Sequence, residues 1–278
     1  MILINELIIP FKDDKIDFDA LLNLIDLSFK NSNDYVLAFT NFNEGNLLSL
    51  KEKIELIDFV NKNEITNFIF YFQLSNNDVD YTIINHLNNS IIKIVFISPH
   101  IDINYDQNGL FLLTKKYAKA LKNKDIYIVN SPKYNNTTYH FQTIKKLYSS
   151  NENIKGLYEN SKDYSLLYLI HKNLDDFKLF INDSEIVKGL SIDIDGFISL
   201  SSLIFGETFK DLLFEHSHGF IDKLTLDYLV FANEILKFNN NSTLMKIYLK
   251  KLNYQSMNVR LPLIINKEDE NNLDFLLS

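Results

Sequence analysis

Residues 151–167, NENIKGLYENSKDYSLL, present the groups whose chemistry would decide what this chain does. The apolar stretch around Gly156 reads as a buried strand, and alternation along it puts Gly156, Tyr158 and Asn160 on one face and Lys155 on the other. A primary amine on the inner face of such a strand could attack a carbonyl and form an iminium; a phenol cannot. Two other amines, Lys133 in SPKYNN, just after the preceding apolar run, and Lys162, just past this one, fall at the C-terminal ends of strands. Either could supply a nucleophile, although a lysine at such a position is commonly solvated. Glu44 and Glu185 are candidate ligand-binding carboxylates, with capping or surface roles equally open. Of the six histidines only His216 and His218 are spaced closely enough to suggest a metal, and the pair reads better as an exposed loop; no metal site is expected.

The elements that must position these groups are legible as runs of apolar, β-branched and aromatic residues at 3–10, 34–41, 67–74, 91–98, 125–131, 153–160, 177–183 and 196–202. Continuous rather than alternating apolar character suits strands buried on both faces, as in a parallel sheet. Helical periodicity fills the intervals. DFDALLNLIDLSFKN places Leu21, Leu22, Ile25 and Phe29 on a face, with Asp17 or Asp19 as cap. SLKEKIELIDFVNK opens with Ser49 and Glu52 as a capping box and turns Ile54, Leu56 and Ile57 inward. Further helices fit 106–122, 138–149, 163–172 and 185–191. Eight strand–helix units predict an α/β fold, a (β/α)8 TIM barrel with a C-terminal helical extension. The barrel core is assigned to residues 1–205, and the last barrel helix with the extension packed on it to 206–278.

Composition narrows the setting. A net charge of −8 argues against a phosphate-neutralising surface, so no nucleic-acid partner is expected. The chain contains no cysteine, which excludes disulfides and thiolate metal sites. No apolar run is long enough to span a bilayer and the first residues lack a signal-peptide pattern, so a cytoplasmic protein without membrane contact is expected. Asparagine, isoleucine and lysine are abundant throughout, and an asparagine at an interesting position carries correspondingly little weight.

Several motifs, in order, resemble the N-acetylneuraminate lyase/dihydrodipicolinate synthase family of class I aldolases. They are LIIPFKDDKIDFDALLNLID, NEGNLLSLKEKIELI, KDYSLLYLI, IDGFISLSS and MKIYLKKLNYQSMNVRLPL. The second and third are closer to the lyase branch. The resemblance implies a cofactor-free aldolase that forms a Schiff base with pyruvate or a sialic acid, and a homo-oligomer, typically a tetramer. It also implies catalytic positions, and several are substituted. The family's G-x-K reads Gly156-Leu157-Tyr158, so Tyr158 stands where the Schiff-base lysine is expected. Val129 stands at the proton-shuttling tyrosine, with Tyr127 deeper on the same face, and Ile101 at a second tyrosine. The carboxylate loop G-S-T-G-E reads TNFNE, which puts Asn41 and Phe42 in place of hydroxyls and retains Glu44. The lyase G-F-D-E reads NDSE, giving Asn182, Ser184 and Glu185, and Leu200 and Ser201 replace a serine–threonine pair. Asn130 and Asn160 are candidates at the edge of the lumen.

Two functions compete on this reading. One is a lyase-type aldolase acting on sialic acid. The other is a non-catalytic relative, a pseudoenzyme that binds a small acid or a partner subunit. The loss of the amine favours the second.

Overall fold

The computed structural model describes residues 1–40, 43–75, 78–100, 103–236, 242–265 and 273. In chain order the strands are β1 (Ile2–Glu6), β2 (Phe11–Lys12), β3 (Lys15–Ile16), β4 (Tyr35–Ala38), β5 (Phe68–Leu74), β6 (Ile94–Pro99), β7 (Asp125–Asn130), β8 (Ile154–Glu159), β9 (Lys178–Asn182) and β10 (Gly196–Ser199). The helices are α1 (Phe18–Lys30), α2 (Leu50–Lys62), α3 (Asp78–Asn88), α4 (Gln107–Ala120), α5 (Pro132–Asn135), α6 (Phe141–Ser150), α7 (Tyr164–Asn173), α8 (Ile186–Gly189), α9 (Ser202–Ser217), α10 (Lys223–Leu236) and α11 (Thr243–Lys251). Strands β1, β10, β9, β8, β7, β6, β5 and β4 follow one another in a closed barrel, and β2 and β3 form a separate pair. The fold is the α/β TIM barrel with eight parallel strands and C-terminal helices that the apolar runs predict. Helix α9 runs across position 205.

The chain divides into two compact units, Ser49–Glu185 with Ser191–Gly196, and Met1–Leu48 with Ile186–Leu190 and Phe197–Ser278. In the first, β5 to β9 pair in parallel register, and residues such as Phe70, Val95, Ile97, Ile128 and Leu157 are sealed from solvent. These strands are buried along nearly their whole length, which is why their sequences run apolar without alternating. The capping box of α2 is present in full: Ser49 accepts from the Glu52 amide, and the Glu52 carboxylate accepts from Ser49. Of the expected inward residues Leu56 and Ile57 are buried, whereas Ile54 is only half-buried.

In the second unit Asp17 caps α1 through the Ala20 amide. The buried stripe of α1 is Leu21, Leu24, Ile25 and Ser28; Leu22 and Phe29, expected inward, are half-buried. The expected first strand over 3–10 stops at Glu6, and the chain then makes the β2–β3 hairpin. Its two turn residues, Asp13 and Asp14, both have positive φ, as a two-residue hairpin turn requires and as aspartate tolerates. Gly206 on α9 lies so close to α1 that a Cβ there would stand 2.0 Å from the Asn31 carbonyl oxygen.

Candidate functional site

Tyr158 sits where strand alternation puts it, near the C-terminal end of β8 and buried. It pairs in register with Val129 of β7 and Phe180 of β9, so these side chains share its face, and Lys155 is exposed. Below it, the Tyr127 ring covers Gly156, where an added Cβ would meet that ring at 2.7 Å. Tyr127 stacks on Phe96 at 5.1 Å and meets Phe180 edge-on at 5.6 Å; Phe96 lies 6.3 Å from the Tyr158 ring. Phe96, Tyr127, Tyr158 and Phe180 thus form one aromatic cluster. The Tyr158 hydroxyl, the polar end of this cluster, accepts a hydrogen bond from Asn182 Nδ2 at 3.1 Å. Asn182 in turn accepts from the Ser184 amide through Oδ1 at 3.1 Å. Of the expected site residues, Tyr158, Val129 and Asn182 are therefore brought together.

Glu185, Lys162 and Tyr164 form a second group in the same unit. Lys162 Nζ lies 2.5 Å from Glu185 Oε1, and the Tyr164 hydroxyl donates to Glu185 Oε2. Burial and the adjacent Glu185 carboxylate push the Tyr164 phenol up to about 12. Ser184 is exposed. Asn160 is half-buried; its side chain donates to Ser131 Oγ and its amide to the Asn130 carbonyl. Asn130 does not lie at the edge of the lumen as expected. It pairs with Glu159, one position beyond the Val129–Tyr158 pair, so alternation turns it to the opposite face. There it donates to Glu159 Oε2 at 2.6 Å and accepts from the Tyr139 amide at 3.0 Å. Burial pushes the Glu159 carboxyl upward, against the hydrogen bonds from Ser161 and Asn130. Lys133 is exposed, its ammonium 5.4 Å from the Tyr134 ring centre.

The other unit holds Glu44 and Ser201, and Glu44 is not open to a ligand. Its carboxylate is fully buried, ion-paired with Lys246 Nζ, and accepts from Ser242 Oγ at 3.1 Å and the Arg260 amide at 3.2 Å. Lys246 also donates to the Asn258 carbonyl at 2.8 Å and lies 4.3 Å from the centre of the Phe11 ring. Arg260 lies 4.1 Å from the same ring centre. Burial lowers the Lys246 ammonium to about 8, with Glu44 opposing the shift. With a carboxylate, a carbonyl and a ring face around it, this amine is a structural cation. Sequence reasoning had no reason to single it out, because the Glu44 carboxylate that pairs with it lies about 200 positions away in the chain. Ser201 is buried and shares a hydrogen bond with Ser199 Oγ at 3.1 Å. Asn41, Phe42 and Ile101 lie outside the described residues.

The only buried lysines among the described residues are Lys246 and Lys124. Lys124 donates to the Ser90 and Ile92 carbonyls and is set at the start of β7, the end of the strand opposite Val129. His218 caps the end of α9 with its ring against the Phe214 carbonyl, and no metal-binding group of three or more side chains occurs among the described residues. No described helix is long and apolar enough to cross a membrane.

Comparison with known proteins bears on this geometry. The chain is 23% identical over 266 residues to the 4-hydroxy-tetrahydrodipicolinate synthase of Hydrogenobaculum sp. (strain Y04AAS1), covering 94% of this chain and 91% of that protein. It is 27% identical over 271 residues to the synthase of that name from Karelsulcia muelleri (strain GWSS), covering 93% and 90%. Among solved structures, the dihydrodipicolinate synthase of Aquifex aeolicus superposes with a TM-score of 0.88 at 22% identity, over 99% of this chain and 96% of that one. A prophage protein of the dihydrodipicolinic acid synthase family from E. coli K12, in complex with pyruvate, gives 0.90 at 16%, over 99% and 97%. These structures share the fold. The sequence relatives carry the synthase name, so the lean of two motifs toward the lyase branch finds no support in them. The family pattern described as Dihydrodipicolinate synthetase family matches residues 95–276, which is well over half of the chain. With the closed barrel and the motif order, this match means that the chain belongs to the dihydrodipicolinate synthetase family.

Proposed function

We propose that this protein binds a small 2-oxo acid of the pyruvate type, or a sialic acid built on one, without forming a Schiff base with it. One observation carries the reading: the third residue of Gly156-Leu157-Tyr158 is a buried phenol addressed by the Asn182 amide. A phenol and a carboxamide can hydrogen-bond a carbonyl or a hydroxyl, but neither can form an iminium. The buried amines do not replace the missing one. Lys246 is held by Glu44, and Lys124 by two backbone carbonyls. The ligand class is taken from the family and from its pyruvate-bound E. coli member. Such a protein would act in the cytoplasm as a homo-oligomer, in keeping with the family resemblance.

A second reading, a surviving aldolase of lyase or synthase type, rests on Lys162, three positions past the end strand residue Glu159. Its Nζ is already engaged by the Glu185 carboxylate, and its side chain is exposed rather than enclosed in a dry pocket. Borohydride reduction in the presence of pyruvate, followed by intact-mass measurement and peptide mapping, separates the two readings. The expected result is no adduct; a reduced adduct on Lys162, or on any other lysine, sinks the proposal. Thermal shifts with pyruvate and N-acetylneuraminate test binding itself. Stabilisation without turnover is expected, and no shift with either acid removes the ligand assignment.

A further inference from the structure

Five amines gather at the N-terminal ends of β6, β7 and β8, within the Ser49–Glu185 unit. Lys119, Lys122, Lys124 and Lys155 line a cavity of about 550 Å³ where the end of α4 passes the starts of β7 and β8. Lys124 is buried and the other three are exposed. Lys93, immediately before β6, adds its repulsion to the burial that lowers the Lys124 ammonium. Among the described residues none of the five is ion-paired. The carboxylates in the cavity wall are Asp125 and Glu152, both exposed. Five amines thus face two carboxylates in one place, in a chain whose net charge is −8.

Lysines often collect at a helix C-terminus because its last carbonyls attract them. Here those carbonyls are already served. Asn153 Nδ2 donates to the Ala118 and Leu121 carbonyls at 2.9 and 3.0 Å, and Asn88 Nδ2 to that of Ala120 at 2.9 Å. Lys124 Nζ donates to the Ser90 and Ile92 carbonyls, which leaves one of its three N–H groups. The wall is therefore tied together by its asparagines, and its amines are left without an anion. A volume of about 300–1,000 Å³ is usual for small-molecule sites, and ammonium groups bind phosphate as point charges. The acidic remainder of the molecule repels an extended polyanion such as nucleic acid, so the occupant is small. With two carboxylates in the same wall, a single charge gains little, and several are needed to engage the separate amines. We infer that this cavity binds a small molecule carrying two or more phosphate charges, held by Lys119, Lys122, Lys124 and Lys155. The site lies at the opposite end of β7 from Val129 and does not depend on the ligand proposed for the Tyr158 face.

Isothermal titration of the full-length protein with inorganic pyrophosphate, at low ionic strength, tests this. Saturable binding with a Kd below about 1 mM is expected. Lys122→Gln/Lys155→Gln, at two exposed positions, weakens it about tenfold while circular dichroism and the Tm of the free protein stay unchanged. Asp125→Asn/Glu152→Gln tightens it, because the opposing charges are gone. Lys51→Gln, an exposed change on α2, leaves it as it was. Orthophosphate binds more weakly than pyrophosphate, since it reaches fewer of the amines at once. The absence of pyrophosphate binding up to about 10 mM overturns the inference. So does binding that the double lysine variant leaves intact, because the anion would then sit elsewhere. Equal affinity for orthophosphate overturns it as well, because the amines would not be acting together.

Discussion

The Tyr158 hydroxyl is a hydrogen-bond acceptor at the edge of an aromatic cluster, and two substitutions separate its contributions. Tyr158→Phe keeps the ring and deletes the acceptor for Asn182; a loss of about 1 kcal/mol is expected, measured by urea unfolding, the usual net worth of one hydrogen bond. Tyr158→Lys restores the amine, yet the partner position on β7 holds Val129, which has no proton to move. That variant is expected to show no aldolase turnover with sialic acid or pyruvate, and measurable turnover would mean the rest of the pocket is still competent. Lys124 offers a pH-dependent check on burial. Among the described residues it has no carboxylate partner, only the Ser90 and Ile92 carbonyls, and burial lowers its ammonium from the ordinary 10.5 to about 8. Between those two values the unfolded chain holds the proton that the folded chain has released, so folding stability rises with pH across that window. Relative to Lys124→Met, the native protein is expected to gain stability from pH 8 to pH 10; a flat difference would show that the ammonium is well solvated.

At the scale of elements, the eight barrel strands were legible because each is buried on both faces and so is written as an uninterrupted apolar run. The helix caps were legible because Asp17, Ser49 and Glu52 act on amides within three residues. What escaped was set by partners distant in sequence or by short polar signals. The β2–β3 hairpin rests on two consecutive aspartates in the left-handed region, just past the run over 3–10 that reads as the first strand. Helix α3 lies between two apolar strands, and among the described residues its buried face has only three apolar side chains, Ile83, Ile84 and Leu87, beside the buried Asp80. The face of Tyr158 and Val129 followed from alternation, but its bond to Asn182 crosses to β9, and Asn130 was misplaced because it follows the inward Val129. Glycine gives the sharpest element-level prediction. Within a helix, Gly→Ala is ordinarily worth about 1 kcal/mol in favour of alanine. At Gly206 the new methyl would meet the Asn31 backbone oxygen at 2.0 Å, and Asn33 Nδ2 at 2.8 Å, so α1 and α9 must separate. Overpacking costs about 1–3 kcal/mol and prevails over propensity; Gly206→Ala is expected to lower Tm, and a raised Tm would show that the helix contact is loose.

For the molecule as a whole, the net charge of −8 sets any two copies against each other before a contact forms. The Debye length falls from about 30 Å at 0.01 M to about 10 Å at 0.1 M, which screens the summed charge of two whole molecules far more than contacts of a few ångströms. Burial of apolar surface is insensitive to salt in this range. The homo-oligomer proposed above from the family resemblance, if an apolar contact holds it, is therefore expected to tighten as NaCl rises from 10 to about 100 mM. Sedimentation equilibrium along that series measures it directly. Association that weakened steadily with salt would instead mean that ion pairing between copies, rather than apolar burial, holds them together.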